Sequence, residues 1–145
     1  MAQQTINLGT VANDGTGDTL RDAGGKINDN FTELYDLSAG ASPVATVSAQ
    51  DTDLDPAHNG HYVRFTYSGA KTLTVQDDAT EPLPANGEWH IRNASASGNL
   101  TLVEDTSVTI NPPVGGTLEI EPGGTVTLKR VGTDEFDLMG VTVAA

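Results

Sequence analysis

From residue 63 onward, apolar side chains recur at every second position in eight short runs. They are Val63, Phe65 and Tyr67; Leu73 and Val75; Trp89 and Ile91; Leu100 and Leu102; Val108 and Ile110; Leu118 and Ile120; Val126 and Leu128; Phe136 and Leu138. A period of two sends successive side chains to opposite faces of an extended strand, so each run reads as a strand with one dry and one wet face. Turn chemistry separates the runs, at Ser68-Gly69, Asn86-Gly87, Ser97-Gly98, Pro112-Pro113, Gly115-Gly116, Pro122-Gly123-Gly124 and Gly132-Thr133. Many short strands joined by tight turns predict a mainly β fold, an antiparallel β-sandwich or jelly-roll-like domain. The chain has no strict repeat, only recurring strand grammar such as Leu73-Thr74-Val75 and Val126-Thr127-Leu128.

One segment, NDGTGDTLRDAGGKINDNFTELY at residues 13–35, breaks this pattern. Its opening is turn chemistry, because Asn, Asp and Gly tolerate left-handed backbone. Asp18 or Thr19 can cap the helix expected over about residues 19–37 by accepting from an orphan backbone N–H. Within that helix Leu20, Ile27 and Leu34 lie seven apart and Phe31 follows Ile27 by four, which makes one narrow apolar seam. The opposite face carries Asp22, Lys26, Asp29 and Glu33. Gly24 and Gly25 each cost about 1 kcal/mol relative to alanine inside a helix, so the helix needs a partner. That partner is either its own β-domain or copies of itself. Small, flexible residues at 38–43 mark a linker. The expected organisation is an N-terminal extended segment plus trimerisation or docking helix at 1–42, then the β-domain at 43–145.

Charge excludes several functions. With 20 acidic against 7 basic residues the chain carries −13, which repels phosphate backbones and anionic membranes, so neither nucleic acid nor membrane is an expected partner. There is no cysteine, hence no disulfide, thiolate metal site or cysteine nucleophile. The start lacks a basic n-region and an apolar h-region, and no apolar run approaches the ~20 residues that span a bilayer; a soluble, not conventionally secreted chain is expected.

Candidate chemistry is sparse. His58, His61 and His90 have no third metal ligand at a recognised spacing. Asp51, Asp53 and Asp55 resemble the start of a calcium loop, but Pro56 stands where glycine is needed and Tyr62 where glutamate is. Acid pairs such as Asp77-Asp78 and Glu104-Asp105 fall at strand ends, where surface charge is normal. No catalytic residue, metal site or cofactor is therefore expected. Trp89, Tyr62 and Tyr67 could stack on sugar faces, which makes a lectin-like glycan binder a third-ranked reading.

The N-terminal segment resembles one near the start of many tailed-bacteriophage structural proteins. The resemblance rests on Asn13-Asp14-Gly15-x-Gly17-Asp18-x-Leu20-Arg21-x-Ala23 and Lys26-Ile27-Asn28-x-Asn30-Phe31-x-Glu33-Leu34-Tyr35, and departs from the usual pattern at Gly24-Gly25. Residues 123–140, GGTVTLKRVGTDEFDLMG, are similar more loosely to small β-domains of phage appendage proteins. The resemblance implies a homotrimeric, non-catalytic virion part, with Leu20, Ile27, Phe31 and Leu34 at the trimer interface. The favoured reading is a capsid decoration or head-fibre protein on the particle exterior, bound to the major capsid protein. A small tail-fibre or baseplate component, bound to tail proteins, is the alternative. Ile6, Leu8 and Val11, apolar on a stretch too short to form a core, are the expected virion-docking residues.

Overall fold

The computed structural model describes residues 4–11, 15–38 and 42–145, with side chains of 35–38 left aside. It divides into two compact units, Met1–Ala41 and Ser42–Ala145. Asn13 and Asp14 of the turn, and residues 39–41 of the linker, lie outside the described residues.

Among its described residues the first unit contains one helix, α1 (Leu20–Ser38). Thr19 caps it: its hydroxyl accepts from the Asp22 N–H at 3.1 Å and donates to the Asp22 carboxylate at 2.6 Å. Asp22 also places negative charge in the first turn, where the helix dipole favours it.

The second unit is made of β1 (Val44–Val47), β2 (Asp51–Asp53), β3 (Tyr62–Phe65), β4 (Lys71–Val75), β5 (Glu88–Asn93), β6 (Leu100–Glu104), β7 (Thr109–Asn111), β8 (Glu119–Ile120), β9 (Thr125–Gly132) and β10 (Glu135–Gly140). One sheet has the order β1-β3-β5-β9-β10-β7 and the other β2-β4-β6-β8. All eight apolar runs fall in or beside strands, with their inward residues buried; Leu118 and Tyr67, at run ends, are half-buried.

The expected antiparallel pairing is corrected by the structure, and with it the jelly-roll connectivity that depends on it. Five of the eight strand pairings are parallel: β1 with β3, β3 with β5, β2 with β4, β4 with β6, and β7 with β10. The chain coils, laying one strand in each sheet per turn, for three turns from β1–β2 through β5–β6. Antiparallel β9 and β8 then close the open side of β5 and β6. Among the described residues only β9 and β10 are consecutive in sequence and also paired, through a turn in which Asp134 takes φ 53°. Alternation determines which face of a strand is dry and is silent on which neighbour it pairs with. The turns of the coil are also unequal: Val44 pairs with Tyr62 and Tyr62 with His90, advances of 18 and then 28 residues, so no sequence period betrays them.

Inward residues of both sheets form one hydrophobic cluster around Trp89, Phe65 and Phe136. Period two continues past the apolar runs and brings polar residues inside with them. Lys71 precedes Leu73 on the dry face of β4, Asn93 follows Ile91 on β5, and Arg130 follows Leu128 on β9; all three are buried. Burial of such groups is tolerable only when they are bonded. The Lys71 ammonium donates to the Gly69 carbonyl at 3.0 Å, the Gly98 carbonyl at 3.1 Å and Ser95 Oγ at 2.9 Å. Its desolvation pushes its pKa below the ordinary lysine value. Asn93 Nδ2 donates to the Gly98 and Ile120 carbonyls at 3.0 and 2.9 Å, while its Oδ1 accepts from Ser95. Arg130 bonds the Leu83 carbonyl and the Asp78 carboxylate, tying down the connection between β4 and β5.

This polar network sits where two turns of the coil touch. A Cβ on Gly98, whose φ is +76°, would lie 2.0 Å from Gly69 C and 2.4 Å from Ala70 N. Gly98→Ala therefore combines left-handed strain with a backbone clash, and should cost on the order of 3 kcal/mol or more. The check is a denaturant titration followed by circular dichroism; a midpoint equal to the parent's would show that the two connections do not stack.

Candidate interaction surface

The first unit is assembled by polar clamps on the helix face that carries Lys26, Asp29 and Asn30. Residues 4–7 run as a strap along this face, and the chain bends beyond it at Gly9, whose φ is 79°. Asn30 grips its start with both ends of the side-chain amide: Oδ1 accepts from the Gln4 N–H at 3.0 Å and Nδ2 donates to the Gln4 carbonyl at 2.9 Å. Gln4 Nε2 reaches Asp29 at 2.9 Å. One turn earlier, Lys26 Nζ donates to the Thr5 carbonyl at 3.1 Å and to the Asp18 carboxylate at 2.6 Å. Asp18 also accepts from the Asn7 N–H at 2.8 Å, and its own N–H returns a bond to the Asn7 carbonyl at 2.8 Å. A Cβ on Gly17 would meet the Asn7 carbonyl oxygen at 2.9 Å, so only glycine lets the strap approach this closely.

Residues 18, 26 and 30 of the phage-like segment are thus explained by one job, holding the strap. The sequence places Lys26 and Asp29 on the face opposite the seam and indicates no task for that face. Lys26 and Asn30, one turn apart on the helix, with Asp18 just before it, were the available signal, but they name no partner, because the strap's contribution is largely main-chain.

With the strap on that face, the apolar seam remains uncovered within the unit. At 100° per residue it is centred about 100° around the helix from Lys26. Leu20 is 92% exposed, Ile27 42%, Phe31 55% and Leu34 59%. Ile27, Asn30, Phe31 and Leu34 line a shallow depression of about 150 Å³. Gly24 and Gly25 have open space where a Cβ would stand, so no packing within the chain requires them. Leu8 and Val11, which follow the strap, are 87% and 68% exposed, and Ile6 is half-buried. The structure therefore brings the four seam residues together on one face, with Leu8 and Val11 as further exposed apolar side chains just beyond the strap.

The other candidates resolve into structural roles. Asp51 accepts from Thr72 Oγ1 at 2.7 Å, Asp53 from Gln76 at 3.1 Å, and Asp55 caps the short 3-10 turn Pro56–His58. Among the described residues no group of three or more His, Cys, Asp or Glu is arranged to hold a metal ion. His90 bonds Thr127 Oγ1 through Nδ1 at 3.1 Å, and its Nε2 lies 3.4 Å from Glu88. Trp89 is fully buried with Nε1 directed to the Asp55 carbonyl, which removes its face from any sugar; Tyr62 and Tyr67 are half-buried. No helix among the described residues is long and apolar enough to cross a membrane.

The Lys26 ammonium, bonded directly, and the Asn7 N–H hold the Asp18 carboxyl below its ordinary value of 3.8. A carboxylate with a depressed folded pKa contributes stability that is complete above the ordinary value and is lost as pH falls through the depressed one. The Asn7 amide proton resonance should accordingly titrate with a midpoint below 3.8, and Asp18→Asn should flatten that titration. An Asn7 resonance insensitive to Asp18 would show that the strap is not held there.

Comparison with known proteins adds a second line. A family model described as "Bacteriophage T4 gp9/10-like protein, N-terminal" matches residues 3–133. A relative, the "Baseplate wedge protein gp10" of Enterobacteria phage T4, is 39% identical over 75 residues, which is 51% of this chain and 10% of that protein. The chain thus spans about a tenth of the length of the curated relative it matches.

Proposed function

The chain belongs to the bacteriophage T4 gp9/10-like N-terminal family, and from that premise we propose that it is a structural component of a phage tail baseplate, located in the virion and working by assembly and not by catalysis. The observation that carries this reading is the family match across residues 3–133, which takes in the strap, the helix and most of the β unit. The relative's description as a baseplate wedge protein supports the tail over the head. It reverses the order expected from sequence, in which small size and an acidic surface favoured capsid decoration.

Within that role, the helix seam is the self-association surface, and the strap with the bend beyond it is the docking surface toward neighbouring virion proteins. The seam is apolar, exposed and next to a strap that the helix holds rigid. Burying what Leu20, Ile27, Phe31 and Leu34 still expose would contribute roughly 4–7 kcal/mol per chain, at about 1.5–3 kcal/mol per fully buried side chain, before the ordering cost of association. Three copies around a parallel axis would use Ile27 and Leu34 as facing layers, with the bare Gly24 backbone at the margin of the seam allowing close approach. Ile6, Leu8 and Val11 would then meet a partner through apolar contact, because an acidic surface repels another acidic body.

Two measurements test these statements. Immunogold labelling of an epitope-tagged chain in intact particles should mark the tail end; label on the capsid would overturn the baseplate reading. In solution, light scattering should give three times the 15.1 kDa chain mass for the parent and a lower mass for Ile27→Asp. A trimer unchanged by Ile27→Asp would remove the seam from the interface.

A further inference from the structure

Between residues 42 and 145 there are fourteen Asp and Glu against five Lys and Arg. Of those five, Lys71 and Arg130 are buried, and Arg64, Arg92 and Lys129 all fall on the outward face of the six-stranded sheet. Lys129 is answered there by Glu88, 3.5 Å away, and by the Asn86 carbonyl at 2.7 Å. Arg64 and Arg92 are not answered. They are register partners on the parallel strands β3 and β5, in a cross-sheet row that reads Thr46, Arg64, Arg92, Thr125 and holds no acid. Arg92 donates to Thr125 Oγ1 at 3.1 Å, and the Arg64 side chain makes no hydrogen bond or ion pair with any described residue.

Neighbouring strands lie about 4.8 Å apart, and like charges directly opposite one another destabilise a sheet. Two arginines are therefore anchored on adjacent strands, without a counter-ion, on a unit otherwise rich in carboxylates. Guanidinium is the side-chain group best matched to a carboxylate by paired N–H donors, and it carries less hydration to strip than an ammonium. We propose that the Arg64–Arg92 row is a docking site for an acidic, carboxylate-bearing segment of a partner protein. A strand face of a sheet is flat, which suits a protein surface, whereas small anions are held in concave sites. The flanking residues on the same face, Val44 and Tyr62 in the next row, supply apolar contact beside the charge. This site belongs to the second unit, uses none of the seam or strap residues, and stands whether or not the baseplate reading does.

The full chain, titrated with a deca-glutamate peptide at low salt, tests it through arginine Nε–Hε resonances. Arg21, in the first unit, and Arg130, tied to Asp78, serve as internal references. Arg64 and Arg92 should shift saturably while the references stay still, and the double variant Arg64→Gln, Arg92→Gln should bind at least tenfold more weakly. Its melting temperature should equal or exceed the parent's, since a repulsive pair has been removed, so weaker binding would not reflect unfolding. Any of four results would overturn the proposal: equal shifts at Arg21, binding unaffected in the double variant, inorganic phosphate displacing the peptide at comparable concentration, or Arg64 and Arg92 shifting with protein concentration alone, which would assign the row to a second copy of this chain.

Discussion

Four of the chain's seven lysines and arginines end on main-chain carbonyl oxygens: Lys26 on Thr5, Lys71 on Gly69 and Gly98, Lys129 on Asn86, and Arg130 on Leu83 and Gly132. Lys26 and Arg130 in this way join segments that no sheet pairs, while Lys71 and Lys129 extend the pairing of β4 with β6 and of β5 with β9 into the adjoining turns. A cation bonded to a carbonyl gives a stronger bond than a neutral donor would, and it satisfies an acceptor that a loop would otherwise leave to water. In the first unit this bond fixes the strap on the helix; in the second it locks the connections that stack from one turn of the coil to the next. With positive charge so scarce, its use on the main chain leaves Arg21, Arg64 and Arg92 as the cationic side chains not spent in this way.

Where the clamps sit also decides which apolar surface stays open. The strap occupies the polar face of α1, so the seam beside it is left uncovered within the unit. The helix carries two glycines that packing inside the chain does not require, and a strap that returns no apolar cover to Leu20 or Leu34. Such an element gains most of its stability from what it binds, which agrees with a part built for assembly.

The dry faces of the strands were legible in the sequence because burial in a sheet obeys a strict period, and Val63, Trp89, Leu100 and Phe136 all lie inward as alternation requires. The helix was legible for the same reason at a different period. What was not legible was pairing. Parallel coiling depends on connections of unequal length, and β1 and β2, short and half-exposed, offer too few apolar residues to announce themselves. The buried cations were written in the parity of Lys71 and Arg130 with their apolar neighbours, although residue type alone argues for the surface. The extended N-terminal segment was legible, but its seat on the helix was not, because its bonds are made mainly by main-chain atoms, which every sequence possesses.

The central claim is that the exposed seam of α1 is where copies of this chain meet in the particle. Since the chain has no cysteine, a single introduced thiol reports directly on that contact. Ile27→Cys places it in the seam and Asp29→Cys on the strap face, and a disulfide forms only when the two Cα atoms come within about 7 Å. Oxidised particles carrying Ile27→Cys should yield covalently paired chains on a non-reducing gel, and particles carrying Asp29→Cys should not. Single chains from both, or pairing at Asp29 and not at Ile27, would contradict the account.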